Sequence, residues 1–457
     1  MTTQHDIIII GSGLSGLSVA HFLTRVRPEI DVILLEKETR PGGAIQTFTD
    51  QGFQAEWGPH GFLDNTPESR ELLVDLGLDQ QAQRAPLGDF LRFVCHNGRL
   101  VPLPQSPQKL LSTPLLSMLQ KFRLLGDLWI KPRPGPLTIA AWAAHRFGTG
   151  ILPLVDAAVT GTFAGDMARL DIDAVMPGVR LLEKENGSIL KGLIKKKKKA
   201  ATERGQLPAM LNFSAGMEQL IAELGKGKKI YPGAEVKGIS KKDELWEVSG
   251  EGGPYIGRHL ILALPVNQAI KLLAPLSPPP VQEIPVARLI NVVLGYSARA
   301  VVPRGFGYLA PEREKRFTMG AMFTSHMFPG RAPHGSVLLE ALVGGRRHPE
   351  RLNLDDQEII KQVGADLAEL MELPEAPIYA KVLRPAHAIP QMEEDHQALL
   401  AWRTAFYKNH QGIAITGFGW DGIGMNDMIK QAKKLAESLL SGEQNKDSDP
   451  VVKPVYF

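Results

Sequence analysis

The sequence predicts an α/β protein built on an open, largely parallel nucleotide-binding sheet, with a mixed-sheet segment and a helical segment inserted between its parts. Three observations predict it: a strand–glycine turn–helix unit at the N-terminus, a glycine pair just past the next strand, and a glycine-rich turn before the last helix. The chain has 457 residues, enough for roughly two to four domain-sized units. Its 44% hydrophobic and 22% charged residues are ordinary globular composition, which excludes wholesale disorder. A net charge of +3 is too small to imply nucleic-acid binding by the molecule as a whole. The single cysteine, Cys95, excludes an internal disulfide framework and a cysteine-rich metal site. No apolar run reaches the roughly 18 residues of a spanning helix, and the N-terminus lacks a basic region ahead of an apolar one. These features lead us to expect a cytoplasmic protein without a removable leader.

The first element is Ile7-Ile8-Ile9-Ile10, a β-branched run bounded by glycine, as expected of a buried parallel strand. It leads into Gly11-Ser12-Gly13-Leu14-Ser15-Gly16. Apolar residues at helical spacing over 17–26 follow, then Pro28, then a strand over 32–35 ending in Glu36. The first glycine permits the tight turn, the second lets the backbone approach a pyrophosphate, and the third lets the helix pack close to the strand. The helix N-terminus offers unsatisfied N–H groups to phosphate. Glu36, twenty residues past Gly16, is placed to accept from ribose hydroxyls. Gly11, Gly13, Leu14, Ser15, Gly16, Glu36 and its neighbour Lys37 are the expected cofactor contacts here.

Arg40-Pro41-Gly42-Gly43-Ala44 makes a second close backbone approach and selects between dinucleotides. It resembles the second flavin motif of glutathione-reductase-like and amine-oxidase-like flavoproteins, although Ala44 stands where those proteins usually carry a basic residue. Gly58, Pro59, His60 and Gly61 follow where that group runs its chain along the isoalloxazine. The resemblance implies FAD, with Arg40, Gly42, Gly43 and the 58–61 segment among its contacts. A strand over 231–239 would bring the backbone of Val236 to the adenine, and LILALP over 260–265 returns the chain to the flavin domain. Near the end, the strand Ile413–Thr416, the turn 417–427 and a helix over 428–440 place backbone N–H groups and a positive dipole end together. Trp420, Gly424, Met425 and Asn426 are the expected contacts of that turn. The fold class is therefore α/β: a discontinuous Rossmann-like FAD-binding domain (1–88, 210–274 and 401–441), a mixed-sheet substrate-binding domain (275–400), a helical insertion domain (89–209) and a tail (442–457).

The helical insertion carries Leu110, Leu111, Leu115, Leu116, Met118, Leu119, Phe122 and Trp129 among Lys109, Lys121, Arg123, Lys131 and Arg133, followed by the lysine run 195–199. That composition suits either a membrane-surface domain or a helical core with a solvated basic edge. The twelve histidines form no ligand-spaced cluster, so no metal is expected, and no residue is singled out as a general base.

Arg92 to Pro104, the stretch Gly161-Thr162-Phe163-Ala164-Gly165, Gly305-Phe306-Gly307-Tyr308-Leu309 and Gly422 to Asp427 together resemble the protoporphyrinogen oxidase family, in the same order along nearly the whole chain. The resemblance implies oxidation of protoporphyrinogen IX by FAD in three two-electron steps in haem biosynthesis, with dioxygen as acceptor and hydrogen peroxide as product. It assigns Arg92 to a propionate of the tetrapyrrole, Phe306 and Leu309 to the walls around the macrocycle, and Gly161 to the flavin-facing wall. Alternatives on the same scaffold are a coproporphyrinogen III oxidase, which needs more cations, an amine oxidase or carotenoid desaturase, and a non-catalytic escort-type binding protein.

Overall fold

A computed structural model describes residues 4–88, 90–104, 107–200 and 208–442; the expected tail beyond Gly442 lies outside the described residues. Its first sheet has seven strands. Lys229–Pro232, Val32–Glu36, Gln4–Ile10 and Tyr255–Ala263 run parallel in that order. The last of these carries Ile413–Thr416, also parallel, on its second half, and the antiparallel hairpin Val236–Lys242/Leu245–Gly250 on its first. Alternate residues of the N-terminal strand enter two separate cores. Ile7 and Ile9 pack with the helices Leu14–Val26 and Met425–Ser441, and Ile8 and Ile10 with the helices Val266–Leu273 and His396–Asn409. Burial on both faces is why this strand is continuously apolar rather than alternating.

The register brings Ile10, Leu35, Leu262 and Ile415 into one row across the sheet. Gly11, Glu36, Ala263 and Thr416 come next across these four strands, so the glycine turns at Gly11 and Gly417 open at the same edge. Ligands of open α/β sheets bind outside this carboxyl edge.

The second sheet is mixed and also seven-stranded, in the order Tyr379–Leu383, Leu289–Ser297, Ser336–Gly344, Gly320–Met322, Gly305–Leu309, Leu91–His96 and Arg99–Pro102. Residues 91–102, expected within the helical insertion, thus lie at the edge of this sheet. Phe93, Val94 and Cys95 have their partners in 305–309 and 99–102, a long-range pairing that local helical propensity does not encode. A further difference concerns 231–239, expected as one strand. Pro232-Gly233 ends the first pairing and Val236 begins another, because Gly233 turns the chain at φ +74°.

The helical portion, including Ile139–Phe147, Leu152–Phe163, Pro177–Asn186 and Ile189–Ala200, packs around Trp142, Val159, Phe163 and Leu182. Charges are buried inside it. The Arg146 guanidinium, with no exposed surface, lies 2.6 Å from Glu183 and 3.1 Å from Asp127, and Arg180 makes a second 2.6 Å pair with Glu183. The Trp142 indole N–H also donates to Glu183 at 3.1 Å. No helix among the described residues is long and apolar enough to cross a membrane. Replacing Arg146 by Ala leaves Glu183 and Asp127 buried without their shared cation. We expect a loss of about 3–5 kcal/mol in the unfolding of this region, measured by urea titration followed by circular dichroism.

Candidate flavin and substrate site

At the carboxyl edge of the first sheet the two glycine motifs touch. Gly13 bridges to Gly42, whose N–H donates to the Ser12 carbonyl at 2.9 Å, and a side-chain carbon on Gly43 would lie 3.6 Å from the Gly13 Cα. The glycines of the first motif differ in what they require. A Cβ on Gly16 would fall 2.0 Å from the Gly11 carbonyl oxygen, so this residue is glycine for the turn itself. A Cβ on Gly13 would meet nothing within 4 Å, and its φ of −70° suits any residue. Its surroundings are an open backbone cradle at the start of the helix Leu14–Val26, which is the geometry a pyrophosphate requires.

Glu36 is buried and its carboxylate already organises the cradle. It accepts from the Ser12 N–H and hydroxyl at 2.9 and 2.7 Å and from the Glu38 N–H at 3.0 Å. A carboxylate has about four acceptor positions, so one is left for a ribose hydroxyl. Ala234 and Gly233 donate to the carbonyls of Glu36 and Glu38, which brings the start of the Val236 strand beside this acid. These residues fit a dinucleotide.

Other sequence-predicted contacts have different roles. The Arg40 guanidinium donates to the carbonyls of Pro41, Gly43 and Ile45 and to Gln46, so it holds the glycine-pair loop in shape. Lys37 is half exposed and 3.4 Å from Glu38. Trp420, expected at the flavin, has its indole wholly buried in the apolar layer containing Leu399 and Phe406, with the Arg403 guanidinium 5.4 Å from the ring centroid. Only its backbone belongs to the turn, because a large apolar ring two residues before Gly422 finds more burial behind the sheet than at its edge. Asn426 also turns inward. Its amide donates to the Leu63 carbonyl and Asn65 and accepts from Ser69, tying the last helix to the 63–69 segment. Met425 packs under Leu14 in the same core. Gly424 caps this helix, with its N–H held by the Asp427 carboxylate at 3.3 Å.

The sequence-predicted substrate residues come from the second sheet and the helix Leu152–Phe163. Arg92 and Gly307 are strand partners, and the Arg92 guanidinium lies 5.3 Å from the centroid of the Phe306 ring. Burial holds the Arg92 pKa below the usual guanidinium range. Phe306 is mostly covered, packed edge-on to Phe90 at 5.5 Å and against Leu63 and Met210. Leu309 is half-buried, and exposed Gly161 lies directly against it, since a Cβ there would come within 2.7 Å of its methyl. The four sequence-predicted substrate residues thus form two contacting pairs on adjacent strands and one helix. Sequence reasoning missed Phe90 and Arg304, whose guanidinium lies 5.8 Å from the Phe90 ring, because neither belongs to a motif. It also missed His387, which burial and the charges of Lys37 and Arg40 hold below the usual imidazole range, beside Glu36 and Glu38.

The nucleotide-binding part and the second sheet are joined by a polar seam. His60 Nε2 lies 2.8 Å from Glu340, a fully buried residue of the strand Ser336–Gly344. Glu340 also accepts from Asn291 at 2.6 Å and Thr324 at 2.8 Å. Behind His60, Glu56 accepts from Asn212, Thr47 and the Met217 N–H.

A dinucleotide cradle at the edge of one sheet, joined through His60 and Glu340 to a second sheet that carries an apolar, cation-bearing patch, is an arrangement suited to a flavin oxidoreductase. The chain belongs within that class to the flavin-containing amine oxidoreductases, whose family model matches residues 14–440. Over 96% of this chain and 98% of its own length, the coproporphyrinogen III oxidase of Bacillus subtilis is 25% identical. The chloroplastic protoporphyrinogen oxidase of Nicotiana tabacum is 26% identical over 95% of this chain and 85% of its own length. Among solved structures, a protein of Exiguobacterium sp. 255-15 described provisionally as a protoporphyrinogen oxidase superposes with a TM-score of 0.79. It covers 97% of this chain and 100% of its own, at 20% identity.

The contrast between two glycines gives a test of the cradle. Gly13→Ala should leave the flavin-free protein within about 1 kcal/mol of wild-type stability and lower flavin affinity by at least about tenfold. Gly16→Ala should instead depress the melting temperature, because backbone must move. Thermal unfolding of the flavin-free protein and fluorescence titration with flavin read the two effects separately.

Proposed function

We propose that the protein is an FAD-dependent oxidase of a porphyrinogen, acting on protoporphyrinogen IX in haem biosynthesis. The observation that carries this reading is the Arg92–Phe306 pair on two paired strands, one of which also bears Leu309 of the Leu309–Gly161 lip, in a chain that also builds the dinucleotide cradle. A large apolar ring with carboxylate arms needs this combination of wall and cation. The near-full-length likeness to relatives named for porphyrinogen oxidation supports it further.

Gly11, Gly13, Gly16 and the helix start at Leu14 would hold the pyrophosphate of FAD, Glu36 its ribose, and the Gly42–Gly43 and Gly58–Gly61 backbones its ring side. The chemistry supplied by the bound cofactor is two-electron oxidation, with the electrons delivered to dioxygen as hydrogen peroxide. The protein's own residues present the substrate. Arg92 anchors a carboxylate arm, its guanidinium pre-oriented by Phe306, and so fixes which bridging methylene faces the cradle. Leu309 and Gly161, in contact with each other, would supply an apolar lip against which the macrocycle packs.

Arg304 favours a second reading. Its position over Phe90 puts another cation beside the aromatic pair, as coproporphyrinogen III, with four carboxylate arms, would require. Oxidation rates in air for both porphyrinogens decide between them, and turnover of neither by the flavin-loaded protein would sink both. In the preferred case Arg92→Ala should raise KM by about 10–100-fold, the loss of one charged hydrogen bond, with a smaller effect on kcat.

The helical portion supports peripheral contact with the cytoplasmic face of a membrane. Leu111, Met118, Phe122 and Trp129 are more than half exposed, and Leu119 is 83% exposed. On the neighbouring helix Ile189–Ala200, Leu193 and Ile194 are exposed as well. Lys109, Lys121 and Arg123 stand among them, which suits an anionic surface. Co-sedimentation with phosphatidylglycerol vesicles should capture the wild type, and Leu119→Glu with Phe122→Glu should release it. A wild type that stays in the supernatant would refute the membrane contact.

A further inference from the structure

The seam between the two sheets holds a charge that substrate anchoring does not use. Glu340 has no exposed surface and accepts from three donors, Asn291, Thr324 and His60. A buried carboxylate with three donors is arranged for its ionised form, and it requires a cation. Among the described residues the only cation bonded to it is His60. Burial works against the imidazolium, but Glu340 and then Glu56 more than offset it and raise the His60 pKa, with Arg331 opposing weakly. Those three, with neutral Asn291 and Thr324, are the groups facing this pair from the strands and loop packed on it.

The ring's orientation gives the charge a direction. Nε2 lies 2.8 Å from Glu340 and 3.3 Å from the Asn291 amide nitrogen, no described residue bonds Nδ1, and the side chain keeps 14% of its surface exposed. His60 also sits in direct continuity with the dinucleotide cradle. Gly58, two residues earlier, presses on Ala44, where a Cβ would come 2.1 Å from the carbonyl oxygen, and Ala44 follows the glycine pair that touches Gly13.

We propose that His60, held as an imidazolium by Glu340, is a positioning residue that presents a fixed positive charge to the flavin ring and so favours the negative charge the ring gains on taking up electrons. Preorganised charge aimed where charge develops is effective because no reorganisation is needed at the moment of reaction. The inference rests on the flavin reading of the cleft and goes beyond it in assigning the redox poise to a residue pair.

The test uses the flavin-loaded full-length protein and reads the flavin rather than turnover. His60→Gln should weaken sulfite binding, followed by bleaching of the flavin absorbance, by at least tenfold. It should also lower the two-electron midpoint potential by about 30 mV, which is that tenfold converted. His60→Lys should recover most of both. In Glu340→Gln the potential should fall with rising pH at a lower pH than in the wild type, because the imidazolium has lost its counter-ion. If His60→Gln does not fold, the neutral pair His60→Gln/Glu340→Gln keeps volume and hydrogen bonds and should show the same directions. Sulfite affinity within twofold of wild type in whichever neutral variant folds would overturn the proposal. A wild-type protein that takes up no flavin would overturn the flavin reading and the proposal with it.

Discussion

The Glu340 carboxylate constrains more of this molecule than any other single group. A buried carboxylate is tolerated only when its neighbours supply donors, and its donors come from three separate stretches of chain: His60 from the nucleotide-binding part, Asn291 from the second sheet and Thr324 from the short helix Thr324–Met327 that follows one of its strands. His60 therefore ties the nucleotide-binding part to the second sheet through a buried charge. The same second sheet carries Arg92, Phe306 and Leu309.

The cleft is assembled from backbone on one side and side chains on the other. On the nucleotide side, function depends on what is missing: Gly13 has open space around it, and Gly16 has none to spare. On the substrate side, apolar packing sets the positions of the polar groups. Phe306 is covered by Phe90, Leu63 and Met210, and its face in turn orients the Arg92 guanidinium. A cation stacked on a ring has fewer orientations to lose when it binds a carboxylate.

Much of this was legible in the sequence because its signals are local. The isoleucine run, the spacing of Gly11, Gly13 and Gly16, and the acid at Glu36 lie within one continuous unit, and the strand and helix appear where that unit places them. The last helix also forms, beginning at Met425 rather than 428 because the Asp427 carboxylate caps Gly424. What was not legible shares a cause. Trp420 and Asn426 sit in a glycine-rich turn, yet their side chains face the core and the 63–69 segment, and neither direction is encoded in spacing. Residues 91–102 read as part of a helical insertion because the strand that ties their hairpin into the second sheet, Gly305–Leu309, lies more than two hundred residues away.

By itself the sequence determined the nucleotide-binding unit, through the isoleucine run, the spacing of its glycines and the acid at Glu36. The tertiary structure alone decided that Arg92 stacks on Phe306, that Gly161 meets Leu309, and that Glu340 pairs with His60. The physical reason is range. Turn geometry and amphipathic period act over a few residues, whereas ion pairing and aromatic stacking depend on which strands become neighbours, and that is settled only when the two sheets pack.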